Sequence, residues 1–206
     1  KSNEKLIQLP GVEWLLDNYY IIAQLNSILK KEMKSKHFNS MPLNDHGIPV
    51  IFAELYKLIP SLPDIEQDTI VKSLKSMKTD LQNKEIYAIT LFLNIGIIMK
   101  MDEVLSDIKA KDFEKNIGSL FIKLRQIDSY DIKEIFKILS KTEKLLEEDE
   151  TYRKMDFKSK NYYRYIIDKL SKKYKMTEDE VVSHALKLAK KQKESPKNHI
   201  GYYLVE

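Results

Sequence analysis

The sequence predicts an all-α fold, an antiparallel multi-helix array of about seven or eight helices, and three observations carry that expectation. Five glycines and six prolines in 206 residues are too few for the tight turns of a β-sandwich or a doubly wound sheet. Apolar residues recur at three- and four-residue spacing through most of the chain, the period of a helix with one buried face. A hydrophobic content of 43% supports a real core at this length, in one helical region or in two subdomains, 1–128 and 129–206.

The first helix is signalled by Pro10 and Gly11 ahead of Val12, Leu15, Leu16, Tyr19, Ile22, Leu25, Ile28, Leu29 and Met33. Residues 37–49 carry no period and hold turn formers, so they read as a loop before a short helix from Val50 to Leu58. Pro60 to Pro63 breaks the chain. A third helix is expected from about Pro63, whose missing N–H costs nothing in a first turn, through Ile65, Ile70, Leu74 and Met77. The fourth, from Asn83, is apolar nearly all round (Ile86, Ile89, Leu91, Leu93, Ile97, Ile98, Met101, Leu105), the mark of a central helix.

Two amphipathic helices follow, one on Phe113, Ile117, Leu120, Phe121 and Leu124, the other running from about Asp131 to Leu146. The acidic cluster Glu147 to Glu150 is unfavourable at a helix C-terminus, so a break is expected there, and a seventh helix spans Ser159 to Lys173. Thr177 and Glu180 form a capping box for the last helix, with Val181, Val182, Ala185, Leu186 and Leu188 inward. A loop and an apolar stub, Ile200 to Leu204, complete the chain. It begins without an initiator Met or signal peptide and stops just after that stub, which reads as a piece excised from a larger protein.

Composition narrows the function. A net charge of +4 on interspersed charges is a solubility excess rather than a nucleic-acid-binding field. Absence of cysteine removes thiolate chemistry and suits a reducing compartment. The most apolar stretch, Ile86 to Met101, is interrupted by Thr90, Asn94 and Lys100, so no transmembrane segment is expected. His37, His46, His184 and His199 form no HxxxH or ExxH pair, and although Glu180 and His184 share a helix face, no third ligand joins them, so no metal site is expected. Phosphate-cradling glycine loops and a GxSxG elbow are absent, so the piece is read as non-enzymatic, with no catalytic residue and no cofactor.

Twelve tyrosines, several of them grouped as Tyr19-Tyr20, Tyr162-Tyr163 with Tyr165, and Tyr202-Tyr203, stand beside a lone Trp14. They read either as a stacking platform for a glycan, as an aromatic docking surface, or as ordinary half-buried helix residues. Lysine stripes at 169, 172, 173, 175 and at 187, 190, 191, 193 are interleaved with acids and read as solvated faces, against the alternative of an anionic membrane surface or RNA.

Three segments together carry a family resemblance: Leu9-Pro10-Gly11-Val12-Glu13-Trp14-Leu15-Leu16-Asp17-Asn18-Tyr19; Asp149 through Tyr152 to Met155-Asp156-Phe157 with Tyr163-Arg164; and His199-Ile200-Gly201-Tyr202-Tyr203-Leu204. In that order the chain resembles the helical region ahead of the transferase module in the cyclic β-1,2-glucan synthases, large membrane glycosyltransferases that polymerise glucose from UDP-glucose and carry a phosphorylase-like module. The resemblance implies a cytoplasm-facing accessory region whose partner is the remainder of the parent transferase, with glucan as the further candidate partner. It nominates Trp14, Asp17, Asn18, Tyr19, Tyr163, Arg164, Tyr202 and Tyr203 as docking or glycan-contact residues. Physically, Trp14, Leu15 and Tyr19 would anchor a helix face, Asp17 and Asn18 would bond a neighbouring backbone, Asp156 or Ser159 would cap a helix, and Arg164 would meet an acid in this piece or on the transferase.

Overall fold

A computed structural model describes residues 10–34, 38–59, 65–77 and 81–205. His37 and the break from Pro60 to Pro63 lie outside the described residues, as does Leu9. Among the described residues the fold is all-α: eleven α-helices, no strand, and one isolated bridge between Leu43 and Pro49. In chain order the helices are α1 (Pro10–Glu32), α2 (Val50–Leu58), α3 (Gln67–Ser76), α4 (Asn83–Leu105), α5 (Phe113–Asp128), α6 (Ile132–Leu139), α7 (Lys141–Leu146), α8 (Glu150–Arg153), α9 (Phe157–Tyr174), α10 (Glu178–Lys190) and α11 (Ile200–Val205). No helix among them is long and apolar enough to cross a membrane.

There are more helices than the periodicity suggests because side-chain caps cut the chain where apolar spacing does not. The expected helix from Asp131 to Leu146 is two: Ser140 closes α6 and, by accepting from the Glu143 N–H, opens α7. Asp131 opens α6 by accepting from the N–H groups of Lys133 and Glu134. Asp149 in the acidic cluster accepts from Tyr152 N–H and starts the short α8. Asp156 caps α9 through Ser159 N–H, and the Thr177–Glu180 capping box is fully formed at α10. The terminal stub is itself helical, as α11.

The chain divides into two compact units, Lys1–Ser73 with Tyr87–Tyr130, and Leu74–Ile86 with Asp131–Glu206. The second therefore takes in Leu74–Ile86, which a division at 128/129 assigns to the first. In the first unit α4 supplies Ile89, Phe92, Leu93 and Ile97 to the core, and α1 lies on α5. Leu25 and Leu29 of α1 are buried, whereas Leu16, Tyr19 and Tyr20 on its other side are exposed. The second unit packs α7, α9, α10 and α11 around Leu146, Tyr152, Ile167, Val182 and Ile200. Full burial of such side chains is worth roughly 1.5–3 kcal/mol each.

Candidate functional site

Within the second unit, a buried polar junction joins α7, α8, α9 and α11. Its first half centres on Glu143 of α7, held where the Ser140 cap starts that helix. Arg164 donates to Glu143 Oε2 through Nε at 3.0 Å and Nη2 at 2.8 Å, and Tyr152 Oη donates to the same oxygen at 2.9 Å. Lys160, one turn before Arg164 on α9, approaches Glu143 Oε1 at 3.5 Å and lies over the Tyr152 ring. The Arg164 guanidinium stacks 4.3 Å from the Phe136 ring centroid, with Phe157 also near, so the planar cation is covered by aromatic faces while its edge is bonded. Arg164 and Glu143 side chains are each 3% exposed.

The second half centres on Asp149. Its Oδ1 accepts from Tyr152 N–H at 2.9 Å and lies 2.9 Å from His199 Nδ1, while Oδ2 accepts from Ile200 N–H at 2.8 Å. One carboxylate thus caps the starts of both α8 and α11. Burial by itself would raise the Asp149 carboxyl, but the Ile200 and Tyr152 N–H groups and the His199 ring together hold it below its ordinary range. His199 Nε2 stands 3.2 Å from the Tyr163 hydroxyl, giving the series Asp149, His199, Tyr163. With Nδ1–H assigned to Asp149, Nε2 accepts from Tyr163.

An Asp–His pair with a hydroxyl beyond it has the form of an acid–base set, but its surroundings favour a lock. Burial, with the Asp149 charge next, pushes the Tyr163 hydroxyl up, so it stays protonated. Gly201 sits so close to Tyr163 Oη and His199 Nε2 that a Cβ there would overlap both. The space beside the His–Tyr contact is filled by backbone, and the series seats α11.

The nominated residues therefore fall into two groups in different units. In the first unit Asn18 is buried: its Nδ2 donates to Trp14 O at 2.8 Å and its Oδ1 accepts from Arg125 Nη2 at 2.8 Å. Trp14 is 38% exposed and its ring lies tilted 6.5 Å from Phe121, while Asp17 and Tyr19 are exposed. In the second unit Arg164 and Tyr163 belong to the junction, Arg164 finding its acid in Glu143 of this same chain. Tyr202 and Tyr203 are half-buried on α11, their rings edge to face at 5.2 Å. Buried Asn18 and Arg164 are spoken for internally and present no contact surface.

Glu143, Asp149, Tyr152 and His199 were not nominated from the sequence. Asp149, three residues before the amide it caps, and Glu143, three residues after the Ser140 cap, each carry a local helix-start signal, but nothing local marks the pairings of Glu143 with Arg164 and of His199 with Asp149, 21 and 50 residues apart. Among the described residues no cluster of three or more His, Cys, Asp or Glu is placed to hold a metal ion. Comparison with protein-family models and with curated proteins gave no match.

Proposed function

We propose that the chain is a non-catalytic accessory region of a membrane glycosyltransferase similar to the cyclic β-1,2-glucan synthases. In this reading it docks on and orients the module that polymerises glucose from UDP-glucose, at the cytoplasmic face of the membrane. One observation supports it above others. Segments far apart in sequence that carry the resemblance, around Asp149–Tyr152, Asp156–Phe157, Tyr163–Arg164 and His199–Leu204, meet in one buried junction whose result is a fixed α11. A junction of that kind does no chemistry of its own; it sets the position and direction in which a terminal helix is presented.

The docking element is then α11 with its approach. Val205 is 48% exposed and Tyr202 half-buried, with the Lys197 ammonium 5.9 Å from the Tyr202 ring centroid. An aromatic with a polar tip beside an exposed aliphatic residue is the composition of a contact anchor. The test is binding in trans: purified chain against a detergent-solubilised transferase module of this family. Saturable association weakened in a Tyr202→Ala, Val205→Asp variant supports the reading, and no association with a folded chain counts against it.

A further inference from the structure

In the first unit α1 carries two unlike faces. Its inner side lies on α5, with Leu25 and Leu29 buried and Asn18 bonded to Arg125. Along the opposite side Glu13, Leu16, Tyr20, Ala23, Ser27 and Lys30 follow one another in alternating steps of three and four residues, and all six are exposed. Leu16 is 56% and Tyr20 57% exposed, so the described residues leave this apolar stretch open to water. We propose that the outer face of α1 is a self-association site, on which a second copy of the chain packs its own α1 in the antiparallel sense.

The stepping is that of the narrow seam along which two helices pair at a shallow angle. What fills the seam decides the partner. Its large residues, Leu16 and Tyr20, stand in the first half and its small ones, Ala23 and Ser27, in the second. A parallel copy would set large against large. An antiparallel copy, related by a two-fold axis passing between Ile21 and Ile22, sets Leu16 against the partner's Ser27 and Tyr20 against the partner's Ala23. The same register brings Glu13 to the partner's Lys30, with exposed Asp17 and Lys31 adding the same signs beside them. Because the axis repeats every pair, size and charge both match twice. A second copy therefore supplies the whole complement of this face from one sequence.

A 23-residue helix is about 35 Å long at about 1.5 Å per residue. Contact between two single helices is at the small end of specific interfaces, below about 1,200 Å² in total, so pairing is expected at micromolar concentrations. It rests on the first unit alone and is independent of the docking reading.

A helix dipole by itself favours this order of charges, acids first and lysines last, and a charge swap separates the two causes. The experiment is sedimentation equilibrium of the full chain from micromolar concentrations to about 0.5 mM. The expected result is a reversible rise from monomer to dimer mass. Tyr20→Glu, at an exposed helix position where a substitution costs little stability, keeps the chain monomeric, with circular dichroism to check the fold. Glu13→Lys sets like charges together at both ends of the seam and weakens the dimer about tenfold. Glu13→Lys combined with Lys30→Glu restores it, although the dipole alone would make that double variant the least stable of the series. Monomer at every concentration overturns the proposal, as does a dimer that Tyr20→Glu leaves intact, or a double variant that pairs no better than Glu13→Lys.

Discussion

Arg164 and Glu143 set two opposed effects against each other. Moving each charge out of water costs several kcal/mol, and their attraction offsets this only with good geometry and the remaining hydrogen-bonding groups satisfied. Both conditions hold: Glu143 takes two Arg164 N–H groups, the Tyr152 hydroxyl and the Lys160 charge, while aromatic rings cover the guanidinium. The pair therefore specifies how α7 and α9 meet, and breaking it from one side should be severe. Arg164→Leu strands a carboxylate in the interior, and a loss of about 3–5 kcal/mol is expected from urea unfolding. Tyr152→Phe removes one donor and keeps the ring, so about 1 kcal/mol is expected. Equal effects of the two substitutions would show that the charge pair is not what organises this junction.

At the scale of elements, the joining of α4 to α10 has a pH dependence opposite to that of a carboxylate held low by its hydrogen bonds, such as Asp149. Glu178, in the first turn of α10, accepts from the Asn83 N–H at the start of α4. Burial, helped by Asp168 and Asp179 and opposed by that N–H and by Lys84, pushes its carboxyl from 4.5 up to about 7. The folded state therefore binds a proton that the unfolded chain has released between those two values, and this contribution to stability falls as pH rises from about 4.5 to about 7. Glu178→Gln mimics the protonated acid at every pH. Unfolding free energies should be close to those of the parent at pH ~5 and higher by on the order of 2 kcal/mol at pH ~8. A variant that loses stability at the higher pH would mean that the ionised carboxylate is favourable there.

The same scale shows what could be read in advance. The boundaries of α2, the start of α4, the capping box of α10 and the all-round apolar character of α4 follow from local spacing and caps, which a sequence displays directly. Ser140 escapes a reading by spacing because hydrophobic periodicity runs on through it, and only its caps mark the cut: its N–H bonds Phe136 O at the end of α6, and its hydroxyl accepts from the Glu143 N–H at the start of α7. Residues 200–204 looked like an apolar stub because α11 has its cap, Asp149, 51 residues upstream. Tyr163 and Arg164 were legible as notable side chains; that they form a lock together with Glu143, Asp149 and His199 depends on tertiary pairings that no spacing rule encodes.

For the whole molecule, the chain folds as two compact units, of which the second ends in a fixed terminal helix. The central claim concerns the second, that this helical region serves a glucan-polymerising transferase without turning over substrate itself. The most direct measurement is incorporation of radiolabelled UDP-glucose into β-glucan by membranes bearing a transferase of this family with this chain as its helical region, alongside the purified chain alone. The account predicts no turnover by the chain alone, and polymerisation by the membranes that falls sharply when Tyr202→Ala and Val205→Asp are introduced in a region that remains folded. Turnover of UDP-glucose by the isolated chain, or undiminished polymerisation by the double variant, would contradict it.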